Sequence, residues 1–195
     1  MATFSDNFLK AIKLVLDMEG RYLERVDGDS GKETFCGIAY AYHKDWAGWK
    51  YIDKSRANSS SYSKELVANE KLMDLVYDYY HKTYWKKYDL ESLPYNVAFE
   101  FFEQAINMGE GTAVKILQRV LNACNYNKKY GEDLTVDGGY GKLTKARLKA
   151  VLEKVGPNPI TLALNCAQGA RYLEISEAKK SNRKFFVGWL KRVFI

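Results

Sequence analysis

Long apolar runs are missing from this chain of 195 residues, and no stretch approaches the ~20 residues that would span a bilayer. Histidine is scarce: only His43 and His81 occur, neither beside a second histidine or a cysteine pair. A zinc centre is therefore not expected, and nothing around either ring suggests a Ser-His-Asp or Cys-His machine. Cys36, Cys124 and Cys166 form an odd and widely spread set that makes no disulfide framework. A secretory leader is not expected either. Asp6 stands in the segment Met1 to Leu16, and Lys10 and Lys13 interrupt its apolar pattern, whereas a leader has an unbroken apolar core behind its positive charge. This predicts synthesis in the cytoplasm without a signal peptide. With histidine, metal and thiol chemistry set aside, carboxylates remain as the candidates for catalysis.

The apolar fraction is 47% and the charged fraction 28%, the balance of a soluble globular protein. The length suits one compact domain or two small lobes, and burying about two-thirds of the unfolded surface makes a disulfide or metal unnecessary for stability. The net charge is +6 and the pI about 9.0, which favours an acidic partner: nucleic acid, a membrane surface or an anionic wall polymer. Lys and Arg are scattered and not clustered along one helix, which weakens the nucleic-acid reading. Fifteen tyrosines and four tryptophans can serve the core, but such rings also stack on bases and sugar faces.

Periodicity predicts a mainly α protein. Ser5 or Asp6 caps a first helix bearing Phe8, Ile12, Val15 and Leu16, and Gly20 stops it. Residues 21–37 read as a loop or short hairpin, and 45–63 show no clear period. A long helix carries Leu72, Leu75, Val76, Tyr79 and Tyr80. The next begins at Pro94, buries Val97, Phe101 and Ala105, and ends at Gly109. Thr112 is the expected cap of another helix, with Val114, Leu117 and Leu121. A polar, Gly-rich stretch runs from Asn122 to Gly141. Further helices are expected over Leu148 to Val155, Ile160 to about Lys179, and Phe185 to Val193.

Three constellations stand out. Glu19-Gly20-Arg21-Tyr22 puts a carboxylate where a helix gives way to a glycine loop. Apolar neighbours and the negative end of the helix dipole would favour its protonated form, as a general acid requires; an ordinary solvated Glu is the bland alternative. Asp27-Gly28-Asp29-Ser30-Gly31-Lys32 is too short between its glycines for a phosphate loop. It also fails as a calcium loop, because Ile38 occupies the position of the bidentate Glu. A self-capping turn or a carboxylate loop facing Glu19 remain. Third, Leu117-Gln118-Arg119 and Val136-Asp137-Gly138-Gly139-Tyr140-Gly141 with Thr144 read as an anion-holding helix start or a helix-turn-helix packing unit. The tyrosines at 77, 79, 80, 84 and 88 with Trp85 look like a stacking ladder, but at helical spacing most belong in a core. Cys36 reads as a small buried hydrophobe.

Taken in order, these pieces resemble the N-acetylmuramidases of glycoside hydrolase family 108, phage- and secretion-associated enzymes. The carrying residues are Glu19-Gly20-Arg21-Tyr22, Asp27, Asp29, Gly31, Thr34, Gly37-Ile38, Tyr84-Trp85, Leu93-Pro94, Val97-Ala98 and Ala105-Ile106-Asn107-Met108-Gly109. The C-terminal half is similar to the predicted peptidoglycan-binding domain that usually follows, at Leu117-Gln118-Arg119, Val136-Asp137-Gly138, Tyr140-Gly141, Thr144, Ala170-Arg171-Tyr172, Gly188-Trp189 and Arg192-Val193. Arg21 replaces the family's second glycine, Leu23-Glu24-Arg25-Val26 replaces an Asn-Asp-Pro text, and Phe35 stands where a polar residue is common.

The resemblance implies a lysozyme-like helical fold with a small hairpin beside the cleft. It implies a catalytic lobe over 1–108 and a wall-binding lobe over 109–195, packed as one globule. The implied reaction is cleavage of the MurNAc–GlcNAc bond of peptidoglycan without a cofactor, in wall lysis or in wall remodelling for secretion. Glu19 matches the catalytic acid; Asp29 is preferred over Asp27 for activating water; Tyr22, Asp27 and Thr34 would line the substrate cleft. A monomer is expected, reaching the wall through a holin-like pore, by lysis or by an export route, with no nucleic-acid partner and no membrane insertion. The competing readings are a non-catalytic peptidoglycan-binding module and a lytic transglycosylase.

Overall fold

The hydroxyl of Ser5 accepts a hydrogen bond from the Phe8 amide at 3.2 Å and opens helix α1 (Asp6–Glu19). Phe8, Ala11, Ile12, Val15 and Leu16 then fall on one face and are buried, as the 3.6-residue period demands. The computed structural model describes residues 4–19, 23–25, 33–56 and 62–193, with the backbone alone for Glu19, 23–25, Arg56 and 62–64. Within these the chain forms two compact units, Met1–Lys87 and Tyr88–Ile195. It is mainly helical with one small antiparallel sheet, as the sequence predicts.

In the first unit, β1 (Leu23–Arg25), β2 (Glu33–Phe35) and β3 (Ile38–Ala39) pair in that order. The hairpin between β2 and β3 is a two-residue turn in which both Cys36 (φ 48°) and Gly37 (φ 78°) are left-handed. That conformation twists with the strands, so it closes tight hairpins. Glycine adopts it freely, whereas Cys36 takes it against its Cβ. The Tyr80 hydroxyl donates to the Cys36 carbonyl at 2.7 Å in a buried setting and holds the turn in place. Cys36 itself is fully buried, the small hydrophobe expected.

The segment 45–63, which shows no clear period, holds α2 (Gly48–Arg56) and the start of α3 (Tyr62–Ala68). Helices this short offer too few inward positions for a period to show. Trp49, Ile52 and Leu66 are their buried anchors. The Trp46 and Trp49 rings meet edge to face at 5.2 Å, and the Trp49 indole donates to the His43 carbonyl at 2.7 Å. Asn69 caps α4 (Glu70–Tyr80) through its side-chain oxygen, 3.1 Å from the Leu72 amide. That helix runs on into a π-helical turn, His81–Lys86.

The second unit is built on α5 (Tyr95–Met108), which starts behind Pro94 and ends at Gly109 as predicted. Helix α6 (Glu110–Ala123) follows at once. Thr112, the expected cap, lies inside its first turn. The physical reason is Gly109 (φ 85°), whose positive φ ends α5 while its carbonyl accepts from the Thr112 and Ala113 amides, both at 3.1 Å. Next come α7 (Lys142–Val155), α8 (Pro157–Ala178) and α9 (Arg183–Leu190). Helix α8 begins three residues earlier than its apolar pattern suggests, at Pro157 and not Ile160, because proline in a first turn lacks only an amide that the helix does not use. Helix α5 packs against both α6 and α8, and every residue from Val97 to Ala105 is buried, Glu100, Glu103 and Gln104 among them. No helix of the described residues is long and apolar enough to cross a membrane.

Candidate active site and the polar centre of the second unit

Glu19 is the last residue of α1, and no basic residue shares its final turn. Thr34 sits half-buried in the middle of the central strand β2, opposite Glu24 on one side and Ala39 on the other. Tyr22, Asp27 and Asp29, the remaining sequence-predicted site residues, lie outside the described residues.

One segment holds both the helix that carries Glu19 and the hairpin that carries Thr34. At the end of α4, Tyr80 fastens the β2–β3 turn. In the π-helical turn that follows, His81 and Trp85 meet the Phe8 ring of α1 at 4.9 and 5.6 Å. A π-helical turn inserts a residue and rotates the side chains after it, and such turns recur at functional sites. Here it aims consecutive aromatic side chains at two different elements. Neither histidine has a catalytic or metal-binding context in the sequence. In the structure His81 is an aromatic packing partner of Phe4 and Phe8. The His43 Nε2 atom lies 2.8 Å from the Tyr79 hydroxyl. No signal in the sequence pairs residues 43 and 79. The tyrosine ladder divides as helical spacing suggests: Tyr80, Trp85 and Tyr88 are buried, while Tyr77, Tyr79 and Tyr84 are half-buried. Among the described residues no group of His, Cys, Asp and Glu could hold a metal ion.

In the second unit the Gln118 motif does structural work. The Gln118 amide nitrogen donates to Asp137 Oδ1 (2.8 Å), the Gly139 carbonyl (3.1 Å) and Thr144 Oγ1 (3.3 Å), while its oxygen accepts from the Gly138 amide (3.0 Å). One side chain on α6 thus ties down the whole turn ahead of α7. Hydrogen bonding from Gln118, and then from the Gly139 amide, holds the Asp137 carboxyl below its ordinary range. Of the two readings of this motif, the packing unit is the one its hydrogen bonds describe.

The buried acids of α5 face α8. The Gln104 and Asn165 amides each donate to Glu100 at 2.7 Å. Gln168 donates to Glu103 at 2.5 Å, and Arg192 forms an ion pair with it at 3.1 Å. Burial, reinforced by the neighbouring Glu103 carboxylate, pushes Glu100 up to about 7, against the lowering effect of its two amide partners. Its ordinary value is 4.5, so between the two the folded chain keeps a proton that the unfolded chain has released. Stability from this group is therefore complete below the unfolded value and falls as pH rises through the folded one, by about 3 kcal/mol in all. Glu100→Gln should remove that dependence. Urea unfolding of both proteins at about pH 5 and about pH 8 should show the variant gaining on the wild type at the higher pH; an unchanged difference would mean that Glu100 does not hold its proton.

The family model described as Glycosyl hydrolase 108 matches residues 12–109, and the model described as Predicted Peptidoglycan domain matches residues 112–194. Among solved structures, SagA of Brucella abortus is similar over 95% of this chain and 88% of its own, at 24% identity and a TM-score of 0.57, a likeness of fold. No curated protein matches the sequence. The boundary between the family models falls after α5, whereas the packing boundary falls before it, between Lys87 and Tyr88. The hydrolase model spans the helix that ends in Glu19, the hairpin that carries Thr34 and the aromatic segment that anchors both, and a peptidoglycan domain follows it. The chain belongs to the glycosyl hydrolase 108 family and is a glycoside hydrolase that acts on peptidoglycan.

Proposed function

We propose that the protein is an N-acetylmuramidase that cleaves the MurNAc–GlcNAc bond with Glu19 as the general acid. The observation that carries this reading is the position of Glu19. It ends α1, within the residues matched by the hydrolase model, and joins a helix packed on the same aromatic segment as the Thr34 hairpin. The negative end of the α1 dipole, with no basic residue in the last turn, disfavours an ionised carboxylate there. That is the direction needed by a group that must deliver a proton to the leaving glycosidic oxygen as oxocarbenium character develops. Asp29 is the group assigned to activate water. Tyr22, Asp27 and Thr34 contact the sugar, the Thr34 hydroxyl as donor or acceptor from a strand whose backbone is paired on both sides. Residues 1–108 form the catalytic lobe and 109–195 retain the enzyme on the wall. The protein acts as a monomer that reaches the wall through a holin-like pore, by lysis or by an export route.

Incubation of the purified protein with isolated peptidoglycan, followed by mass spectrometry of the soluble products, tests the bond assignment. Muropeptides with muramic acid at the reducing end are expected. Products ending in 1,6-anhydromuramic acid would instead establish a lytic transglycosylase. No products, with the protein retained on the wall pellet, would leave a binding module.

A further inference from the structure

Helix α8 is unusual for a helix at a surface. From Pro157 to Ala170 it contains no charged residue, and its only charged side chains are Arg171, Glu174 and Glu177. Arg171 and Glu174 neutralise each other at 2.9 Å. Leu162, Cys166, Ala170 and Leu173 fall at spacings of four, four and three residues, hence on one face, and all four are exposed, Leu162 by 64% and Leu173 by 49%. With Phe186 and Leu190 of α9 this face lines a groove of about 610 Å³. Elsewhere on α9, Phe185 and Val187 are 47% and 70% exposed. Apolar side chains gathered in this way on a soluble protein mark an interaction surface.

The chain that follows α8 carries charge of one sign, although Glu177, four residues beyond Leu173 on the same face of α8, is exposed and acidic. From Lys179 to Ile195 the sequence has no acidic residue, and its basic ones are Lys179, Lys180, Arg183, Lys184, Lys191 and Arg192. Arg192 turns inward to Glu103; the other five are exposed, and among the described residues none of the five forms an ion pair. An apolar face whose lining residues Phe186 and Leu190 stand three residues from Arg183 and next to Lys191, both without an acidic partner among the described residues, is the pattern of a helix pair that lies on an anionic lipid surface. A second copy of the chain fits less well. It brings the same excess of basic residues and so offers no complementary charge.

We propose that the α8–α9 face docks peripherally on an anionic phospholipid bilayer, the apolar groove entering the interfacial region and the lysines and arginines of 179–191 meeting the headgroup phosphates. No spanning segment is involved. The contact holds the second unit against a membrane.

Co-flotation of the full-length protein with phosphatidylcholine vesicles, with and without a quarter of phosphatidylglycerol, tests the proposal. Partitioning should be about tenfold or more stronger on the anionic vesicles, and about 1 M salt should remove most of that preference, because screening then cuts off beyond ~3 Å. Replacing Lys179, Lys180, Arg183 and Lys184 together by Gln should cost about tenfold or more on anionic vesicles. Leu162→Ser with Leu173→Ser should cost about tenfold on the same vesicles. Both leucines are exposed, so an unchanged Tm serves as the control for folding. Absence of any preference for anionic vesicles overturns the proposal. So does binding that needs the charges but ignores the leucines, which is adsorption of a basic protein and not docking of this face. A concentration-dependent dimer in light scattering that Leu162→Glu abolishes would assign the groove to a second copy.

Discussion

Glu19→Gln should lower the rate of peptidoglycan solubilisation by about a thousandfold, roughly 4 kcal/mol of transition-state stabilisation, because Gln keeps the shape of the side chain and cannot donate the proton. Retention on the insoluble wall should be unchanged. Thermal stability should hold or rise slightly, since removing a carboxylate from the negative end of α1 is favourable by ~0.3–1 kcal/mol. This combination separates a lost catalytic group from a damaged fold. Dye-release kinetics on labelled walls, read beside a melting curve, would check it. A variant that retains a tenth or more of wild-type turnover would remove Glu19 from the acid role and send the search to Asp27 and Asp29.

Arg192→Met should be the most destabilising single change at the α5–α8 centre, at about 3–5 kcal/mol, because it removes the cation that faces the buried Glu103 carboxylate. Glu103 is 2% exposed and Arg192 14%, so water replaces little of the lost partner. Gln168 still donates to Glu103, which places the expected loss towards the lower end of that range. Replacing both partners, Glu103→Leu with Arg192→Met, should recover most of the loss, since an apolar pair of similar volume carries no desolvation penalty. Urea midpoints of the four proteins in the cycle measure the coupling. A single variant as stable as the wild type would show that Glu103 sheds its charge by binding a proton.

The long helices were legible in the sequence because their apolar residues repeat often enough to define a face. α1 follows Phe8, Ile12, Val15 and Leu16, and α5 begins and ends at its proline and glycine. The short helices were not legible. A nine-residue helix such as α2, with Trp49 and Ile52 as its buried residues, is set by tertiary contacts of the neighbouring Trp46, whose ring stacks on Phe35 and whose indole donates to the Leu75 carbonyl. The burial of Glu100 and Glu103 escaped for another reason. They interrupt the apolar stripe of α5 on what reads as its solvent side, and only the packing of α8 onto that side makes it interior. The Gln118 motif could be read as a turn clamp or an anion cradle from its spacing, and the hydrogen bonds of one amide favour the clamp. The position of the proposed catalytic group is legible from the glycine that follows the apolar period of α1. The contacts that anchor its helix join Phe8 of α1 to His81 and Trp85, far along the chain.

The offset between the two boundaries bears on how such enzymes can be recombined. Family resemblance changes at residues 109–112, and an exchange of wall-binding segments between relatives would naturally be cut there. A cut at that point leaves α5 behind, and with it the buried residues 97–105 on which α6 and α8 close. The incoming segment would then have to rebuild its centre on a foreign helix, including partners for Gln168 and Arg192. A chimera joined at Lys87–Tyr88 carries the helix with its own neighbours. In this architecture the unit of inheritance and the unit of folding differ by one helix, and that helix limits which wall-binding segments can be interchanged.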